Sequence, residues 1–159
     1  MLNHFCILGA GAMGGLYGAR LARAGFKVTC VDLWQAHVDA MRTTGLVVDD
    51  LEETVSVPVS ATNDPATVAN ADVILVFVDS HQTHVAGKSL RSAPSPHGVV
   101  LTLQNGSGNR EALITVFGED RVMAGLSYAS AAVVGPGHIA HTNSGPTWLG
   151  EIDGSRSDR

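Results

Sequence analysis

Basic residues are scarce in this sequence. Ten lysines and arginines stand against fifteen aspartates and glutamates in 159 residues, which gives a formal net charge of −5. No basic stripe is available to neutralise a phosphate backbone, so the composition argues against a nucleic-acid partner. A local site for one small anion remains compatible with this balance.

Cysteines and long hydrophobic runs are also few. Cys6 and Cys30 each lie in an apolar run near the end of a predicted strand. We expect two buried thiols in a reducing compartment, and a disulfide between neighbouring strands is the alternative. Neither CxxC nor HxxxH spacing occurs, so no metal site is predicted. The run from Leu2 to Leu8 is too short to span a membrane and lacks a charged leader, so we expect a cytoplasmic protein without a membrane partner.

What is present is the material of one globular domain. Apolar residues make up 45% of the chain, charged residues 16%, and eighteen glycines punctuate it. Strand and helix patterns alternate along most of the length. The predicted strands are 3–8, 27–31, 72–78, 99–103 and 122–126, and the predicted helices are 13–24, 35–44, 82–92 and 109–117. A short helix is predicted to begin at Asp64-Pro65.

Two segments depart from this alternation. Valines alternate partly with polar residues in 46–60 around an acidic turn at 49–53, which predicts two short antiparallel strands. From residue 127 onward only strands are predicted, at 129–134, 138–142 and 147–149. The sequence therefore predicts an α/β fold, a doubly wound (Rossmann-type) parallel sheet with an antiparallel strand-rich C-terminal extension.

A glycine-rich hexapeptide, the glycine loop, joins the first strand to the first helix. It reads Gly9-Ala10-Gly11-Ala12-Met13-Gly14, a G-x-G-x-x-G pattern. Gly9 permits a tight turn, Gly11 lets a pyrophosphate approach the backbone, and Gly14 lets the helix pack closely on the strand. The free N–H groups at the helix N-terminus attract phosphates. The hexapeptide predicts a dinucleotide site, and the alternative is a glycine-rich turn without a ligand.

Asp32 follows the second strand, about twenty residues beyond the loop. A carboxylate there can accept hydrogen bonds from both hydroxyls of the adenosine ribose and would repel a 2′-phosphate. No arginine or lysine immediately follows it, so the local chemistry favours NAD(H) over NADP(H). The alternative is a turn aspartate or an N-cap of the second helix.

At this point the sequence resembles the ketopantoate reductases (2-dehydropantoate 2-reductases). The segment 9–25, GAGAMGGLYGARLARAG, is similar to the opening of that family, including its Tyr17-Gly18 pair. So are Gly45-Leu46, the stretch 76–82, the loop 103–108 (LQNGSG) and the closing segment from Gly137-His138 to Glu151. The resemblance covers nearly the whole chain and implies reduction of a 2-keto acid with NAD(P)H, within pantothenate biosynthesis.

The resemblance also implies roles for two amides. Asn105 matches the family's asparagine that contacts the cofactor near the nicotinamide ribose, and Gln82 matches a glutamine lining the cofactor cleft. The alternatives are a turn-forming Asn-Gly pair for Asn105 and an exposed helix-start residue for Gln82. The family usually carries a lysine three residues before that glutamine, and this sequence has Asp79. The family is generally NADPH-dependent, whereas Asp32 and Asp79 both favour NADH.

No catalytic residue of the family falls within this chain. Its proton-donating lysine and its substrate-binding glutamate belong to a helical domain that would lie beyond residue 159. Lys27 and Lys88 are the only lysines here and neither suits that role. The resemblance thus implies a dinucleotide-binding domain at 1–151 and a linker beginning at 152–159. We expect the chain alone to be inactive and to self-associate as a homo-oligomer through the apolar face that a second domain would cover.

Other interpretations stay open from the sequence alone. A 3-hydroxyacid or glycerol-phosphate dehydrogenase would begin in a similar way, and a nucleotide-sensing module would need no proton donor. Whether the open reading frame continues into a helical stretch with a lysine would distinguish these. We expect the histidine pairs His81 and His84, and His138 and His141, to serve at the surface or in packing.

Overall fold

The structure is a computed structural model that describes residues 2–51 and 53–157. The helices are α1 (Ala12–Arg23), α2 (Gln35–Thr44), α3 (Thr83–Ser89) and α4 (Asn109–Phe117). The strands are β1 (His4–Leu8), β2 (Lys27–Val31), β3 (Leu46–Asp50), β4 (Glu53–Val57), β5 (Ser60–Thr62), β6 (Ala71–Val76), β7 (Pro94–Thr102), β8 (Val122–Ser127), β9 (Ser130–Gly135), β10 (His138–Asn143) and β11 (Thr147–Glu151). Short 3-10 turns lie at Pro65–Thr67, Ser80–Gln82 and Glu119–Arg121.

The main sheet has seven strands in the order β11-β8-β7-β6-β1-β2-β5. All neighbouring pairs are parallel except β11, which runs antiparallel to β8. Helices cover both faces, so the central strands are continuous apolar runs, as in β1, where all five residues are buried. The prediction of a doubly wound parallel sheet is confirmed.

A second sheet of four strands, in the order β4-β3-β10-β9, packs against α1. The predicted antiparallel pairs β3–β4 and β9–β10 are both present. The sequence did not predict that β10 pairs in parallel with β3, which joins the strand-rich end to the first half of the chain. Ile139 of β10 is fully buried, and a Cβ on Gly15 would lie 3.0 Å from its Cδ1. Gly15 of α1 therefore lets this sheet approach closely.

Some predicted boundaries were wrong. The fourth predicted strand begins at Pro94 rather than Val99, and β8 pairs with it only from Val100 onward. Prolines are tolerated in its first half because that half has no partner on the β8 side. The third predicted helix begins at Thr83, after the 3-10 turn that contains Gln82, and β5 was not predicted at all. Residue 52 of the predicted 49–53 turn and residues 158 and 159 of the predicted 152–159 linker lie outside the described residues.

The two cysteines are free and buried, as predicted. Cys30 pairs in register with Ile7 and shares its face of the sheet, whereas Cys6 packs in the core on the other face. Their side chains point to opposite faces, so the alternative of a disulfide is wrong. Burial raises the pKa of the Cys30 thiol to about 12. None of the described helices is both long and apolar enough to cross a membrane.

Candidate active site

A cleft of about 720 Å³ opens at the carboxyl ends of β1, β2 and β6. In the main sheet β1 lies between β2 and β6, so the chain continues from β1 to β2 on one side and later returns to β6 on the other. Doubly wound sheets bind ligands at such a point, where the strand order reverses. Sixteen residues line the cleft: Leu8, Gly9, Gly11, Val31, Asp32, Leu33, Trp34, Pro65, Phe77, Val78, Asp79, His81, Gln82, Val85, Ala86 and Ser89. This described lining contains two carboxylates and neither lysine nor arginine.

The three glycines of the hexapeptide meet different surroundings. Gly9 has φ +88°, and a Cβ there would lie 2.8 Å from the backbone nitrogen of Val78. A Cβ on Gly14 would lie 1.9 Å from the carbonyl oxygen of Gly9, so close packing excludes any side chain. A Cβ on Gly11 would meet no atom within 4 Å. The space beside Gly11 is therefore open to a group approaching the backbone, which is what a pyrophosphate requires.

The first turn of α1 begins at this open space. Ala12, Met13 and Gly14 are its first three helical residues, with Gly11 as N-cap and no side chain capping the turn. Their N–H groups precede the repeating intrahelical hydrogen bonds, so they remain available to a ligand. The first turn holds no acidic residue. This end of α1 has the geometry and the charge that suit a bound phosphate.

Asp32 lies at the rim of the cleft and binds the backbone with both oxygens. Its Oδ2 accepts from the N–H of Ala10 and its Oδ1 from the N–H of Trp34, each at 2.9 Å. The turn interpretation is thus correct in part, whereas the N-cap interpretation is wrong because Trp34 is the N-cap of α2. Each carboxylate oxygen keeps further acceptor capacity, so a ribose hydroxyl could still bind.

The two predicted amides do not lie in equivalent places. Gln82 is exposed and lines the cleft. Asn105 lies in the loop after β7 and is not part of the lining of this cleft. Its main-chain carbonyl accepts hydrogen bonds from Ser80 Oγ at 3.1 Å and from Asn109 Nδ2 at 3.0 Å. Within the part of the chain that the structure describes, its side-chain amide forms no hydrogen bond.

A buried polar network ties the loops after β6 and β7 together. Thr83 is fully buried and donates from Oγ1 to Asn109 Oδ1 at 2.8 Å. Gln104 Nε2 donates to Thr83 Oγ1 at 2.9 Å and also to the carbonyl of Val78. Val78 and Gln104 belong to the segments 76–82 and 103–108 noted above, but the network could not be predicted because its hydrogen bonds join residues more than twenty positions apart. It fixes the loop that carries Asn105 against the one that carries Gln82.

His37 is another residue that sequence reasoning missed. It is fully buried on α2, directly before Val38, which is also fully buried. Its ring contacts the carbonyl of Ala10 and the N–H of Gly137, and it stacks on Trp34 with ring centroids 5.1 Å apart. Only its place among the inward positions of α2 could have indicated burial, and nothing in the sequence indicated its partners.

Of the histidines and lysines considered from the sequence, His81 lines the cleft and the others do not. His84 contacts Thr115 Oγ1 at 3.2 Å, and both lysines are exposed, Lys27 at the start of β2 and Lys88 in α3.

Two histidines of β10 contact carboxylates of β3 in the second sheet. His141 is buried, with Nδ1 2.7 Å from Asp50 Oδ1. His138 Nε2 lies 2.9 Å from Asp49 Oδ2, and hydrogen bonds from Thr54 and His138 hold the pKa of Asp49 below its usual range. These contacts join β10 to β3.

Comparison with known proteins places this geometry in a family. The family model described as ketopantoate reductase PanE/ApbA matches residues 5–154. A 2-dehydropantoate 2-reductase of a Nostoc species is 34% identical over 148 residues, 92% of this chain and 46% of that protein. The solved PanE/ApbA family ketopantoate reductase of Ralstonia eutropha JMP134 superposes with a TM-score of 0.87 at 35% identity, covering 95% of this chain and 50% of that one.

A solved D-mandelate dehydrogenase, in a ternary structure with NADH and anilino(oxo)acetate, superposes with a TM-score of 0.88 at 25% identity. It matches 94% of this chain and 48% of the dehydrogenase. The chain spans about half the length of each of these relatives. The match of the family model, together with the fold and the glycine loop, shows that the chain belongs to the ketopantoate reductase family PanE/ApbA, a family of oxidoreductases.

Proposed function

We propose that this chain is the NADH-binding half of an oxidoreductase that reduces a 2-keto acid to the 2-hydroxy acid. The observation that carries the proposal is the chemistry of the cleft. Open space beside Gly11 adjoins the N-terminus of α1, and the carboxylate of Asp32 stands at the rim. A nicotinamide dinucleotide fits this set, because the helix N-terminus suits its pyrophosphate and the carboxylate suits its ribose hydroxyls.

The residues proposed to bind the cofactor divide into three groups. The hexapeptide supplies backbone contacts to the pyrophosphate, Asp32 holds the adenosine ribose, and Gln82 and Asn105 lie toward the nicotinamide. The preference for NADH over NADPH rests on the described lining, in which two carboxylates and no basic side chain would face a 2′-phosphate. Like charges in a partly enclosed cleft repel, so NADPH should bind more weakly.

The test is a titration of the purified chain with NADH and with NADPH, measured by fluorescence or calorimetry. We expect NADH to bind at least tenfold more tightly, a difference of about 1.4 kcal/mol. Asp32→Ala should weaken NADH, whereas Asp39→Ala, which removes the same charge from the exposed side of α2, should leave binding unchanged. Tighter binding of NADPH to the wild-type chain would reject the preference.

A second variant avoids the backbone hydrogen bonds that Asp32→Ala would break. Leu33 is 80% exposed and lines the cleft beside Asp32, so Leu33→Arg adds a cation without disturbing the core. We expect NADPH affinity to rise in this variant while NADH affinity stays nearly constant. An unchanged ratio would mean that the 2′ position lies elsewhere.

The substrate class is proposed from the relatives and not from this cleft. One relative is a 2-dehydropantoate 2-reductase, and another was solved with anilino(oxo)acetate, itself a 2-oxo acid derivative. Bound NADH would supply the hydride for reduction of the keto carbon. We infer that residues 1–151 form the dinucleotide-binding domain, that 152–159 begin a linker, and that the proton donor belongs to a second domain. NADH oxidation by this chain with 2-dehydropantoate should therefore be absent, and robust turnover would refute the inference.

We also propose that the chain self-associates. Large apolar side chains are exposed on β8, β11 and the segment between β8 and β9: Leu126, Tyr128, Trp148 and Leu149. Trp148 and Leu126 are direct partners across the two strands, and exposed apolar side chains grouped at a sheet edge are often covered by another protein surface. Light scattering should show a concentration-dependent rise in mass, and a strictly monomeric chain at high concentration would contradict this.

A further inference from the structure

His37 connects the glycine loop to the second sheet. Its Nε2 donates to the carbonyl of Ala10 at 2.9 Å, and its Nδ1 accepts from the N–H of Gly137, in the turn between β9 and β10, at 2.8 Å. Because one ring nitrogen donates while the other accepts, the hydrogen bonds assign the neutral tautomer with its proton on Nε2. The ring is fully buried and lies outside the lining of the cleft.

The residue that His37 holds is the one between the two loop glycines. The N–H of Ala10 donates to Asp32 Oδ2 at 2.9 Å, so Ala10 is held through both its N–H and its carbonyl. Glycines have wide backbone freedom, and Gly9 and Gly11 flank Ala10 on either side. Without these two contacts the peptides around Ala10 could rotate, and the N–H groups that begin α1 would change direction.

We propose that His37 is a positioning residue for the dinucleotide pyrophosphate. It carries the rigidity of the second sheet to the glycine loop, so that the N–H groups at the start of α1 are oriented before the ligand arrives. Pre-orientation of this kind raises affinity because little ordering remains to be done on binding. The proposal rests on the proposed cofactor function and assigns His37 no contact with the cofactor.

The expected signature is a loss shared by every ligand that carries the pyrophosphate. His37→Leu removes both hydrogen bonds at similar volume, and it should weaken NADH and ADP by the same factor, about tenfold. His84→Leu is the matched control, since His84 lies outside the cleft lining and its ring hydrogen-bonds to Thr115 on α4. Circular dichroism and the unfolding midpoint of each variant establish that the titrated protein is folded.

Rescue by a conservative variant separates positioning from packing. Glutamine carries one amide donor and one carbonyl acceptor, so His37→Gln can satisfy both Ala10 and Gly137. We expect His37→Gln to recover NADH and ADP affinity to within about threefold of the wild type, because a donor and an acceptor are again present at this position. A glutamine variant that folds but binds as weakly as His37→Leu would contradict the proposal.

The wild-type chain offers a measurement that needs no variant. If His37 couples loop and sheet, saturating ADP should slow hydrogen exchange at the Gly137 amide more than at the amides of β4, in the same sheet. Equal protection of both would reflect global stabilisation and would overturn the proposal. So would a folded His37→Leu with unchanged affinities, or one that weakens NADH alone. Failure of the wild-type chain to bind either NADH or ADP would instead reject the proposed function.

Discussion

The two ends of the main sheet differ in how completely this chain builds them. Around the cleft, side chains hold the backbone at each turn, and no described buried side-chain polar atom lacks a hydrogen-bond partner. At the β8–β11 edge, Trp148 faces Leu126 across the strands, and the two are 66% and 45% exposed. The cleft is thus held by hydrogen bonds within the chain, whereas the β8–β11 edge leaves large apolar side chains exposed.

If the cleft binds the cofactor and the β8–β11 edge forms an interface, as proposed, the difference predicts that the two functions are separable. The glycine loop depends on α1, α2 and the second sheet, all of which lie within residues 12–143. Tyr17 connects the two regions, since its hydroxyl donates to Ser127 Oγ at 2.9 Å and its ring stacks on Phe77 of the cleft. Apart from changes to Tyr17 itself, we expect substitutions on one side to leave the other side largely intact.

The largest effect is expected from the glycine loop itself. Gly14→Ala places a Cβ against the carbonyl of Gly9, so we expect a loss of about 3 kcal/mol in the free energy of unfolding. Gly11→Ala meets open space and should change stability by less than about 0.5 kcal/mol. The same Gly11→Ala should weaken NADH by tenfold or more, a loss of at least about 1.4 kcal/mol in binding. Urea unfolding measures the stability of the two variants, and NADH titration measures their binding. Equal losses of stability in Gly14→Ala and Gly11→Ala would contradict the prediction.

The buried network behind Asn105 should produce an intermediate effect. Thr83→Val leaves Asn109 Oδ1 and Gln104 Nε2 each with one partner fewer, which should lower stability by about 1–3 kcal/mol. Since the network holds the Asn105 loop, NADH affinity should fall while ADP affinity stays constant. Thr115→Val, on the exposed face of α4, is the control and should change neither. A parallel loss of ADP affinity would show that the network supports the whole cleft.

Substitutions at the β8–β11 edge should change self-association of the chain but not its affinity for NADH. Trp148→Ser removes the largest exposed apolar side chain of β11 and should lower the mass measured by light scattering at high concentration. Unfolding free energy should change by less than about 1 kcal/mol because the side chain is mostly exposed. Leu2→Ser, which alters an exposed leucine before β1, is the control. Unaltered self-association in Trp148→Ser would remove β11 from the interface.

The smallest effect is a pH dependence at the start of β1. The folded state holds His4 neutral, with Nδ1 donating to the carbonyl of Asn70 and Nε2 accepting from the Thr29 hydroxyl. Burial lowers the pKa of His4, so the unfolded chain binds a proton more readily than the folded one. The contribution of neutral His4 to the free energy of unfolding is complete above about pH 6.5. It decreases as the pH drops from there to the lowered pKa, by at most about 1.4 kcal/mol per pH unit.

His4→Gln should flatten that slope when urea midpoints are measured between pH 7 and pH 5. His97→Gln, at an exposed position of β7, should keep the wild-type slope. Identical slopes in the His4 variant and the wild type would show that other groups dominate the acid response.

Much of the fold followed from the sequence, and the site followed only in outline. Buried parallel strands such as β1 have a continuous apolar pattern, and the glycine loop has a fixed spacing, so both could be read locally. The parallel pairing of β3 with β10 could not, because it joins residues about ninety positions apart. The partners of His37 and Thr83 were hidden for the same reason. Asp32 shows the limit most clearly, since its position and its turn were predictable but its hydrogen bond with the distant Ala10 was not.

The most direct test of the proposed cofactor site uses the two tryptophans of the chain as separate fluorescent reporters. Trp34 lines the cleft, whereas Trp148 lies on β11, so Trp148→Phe leaves one reporter at the proposed cofactor site and Trp34→Phe leaves one remote from it. Reduced nicotinamide absorbs where tryptophan emits, so bound NADH should quench Trp34 saturably in Trp148→Phe, with ADP reversing the effect. A folded Trp148→Phe variant whose emission shows no saturable response to NADH would contradict the proposal that this half binds the cofactor.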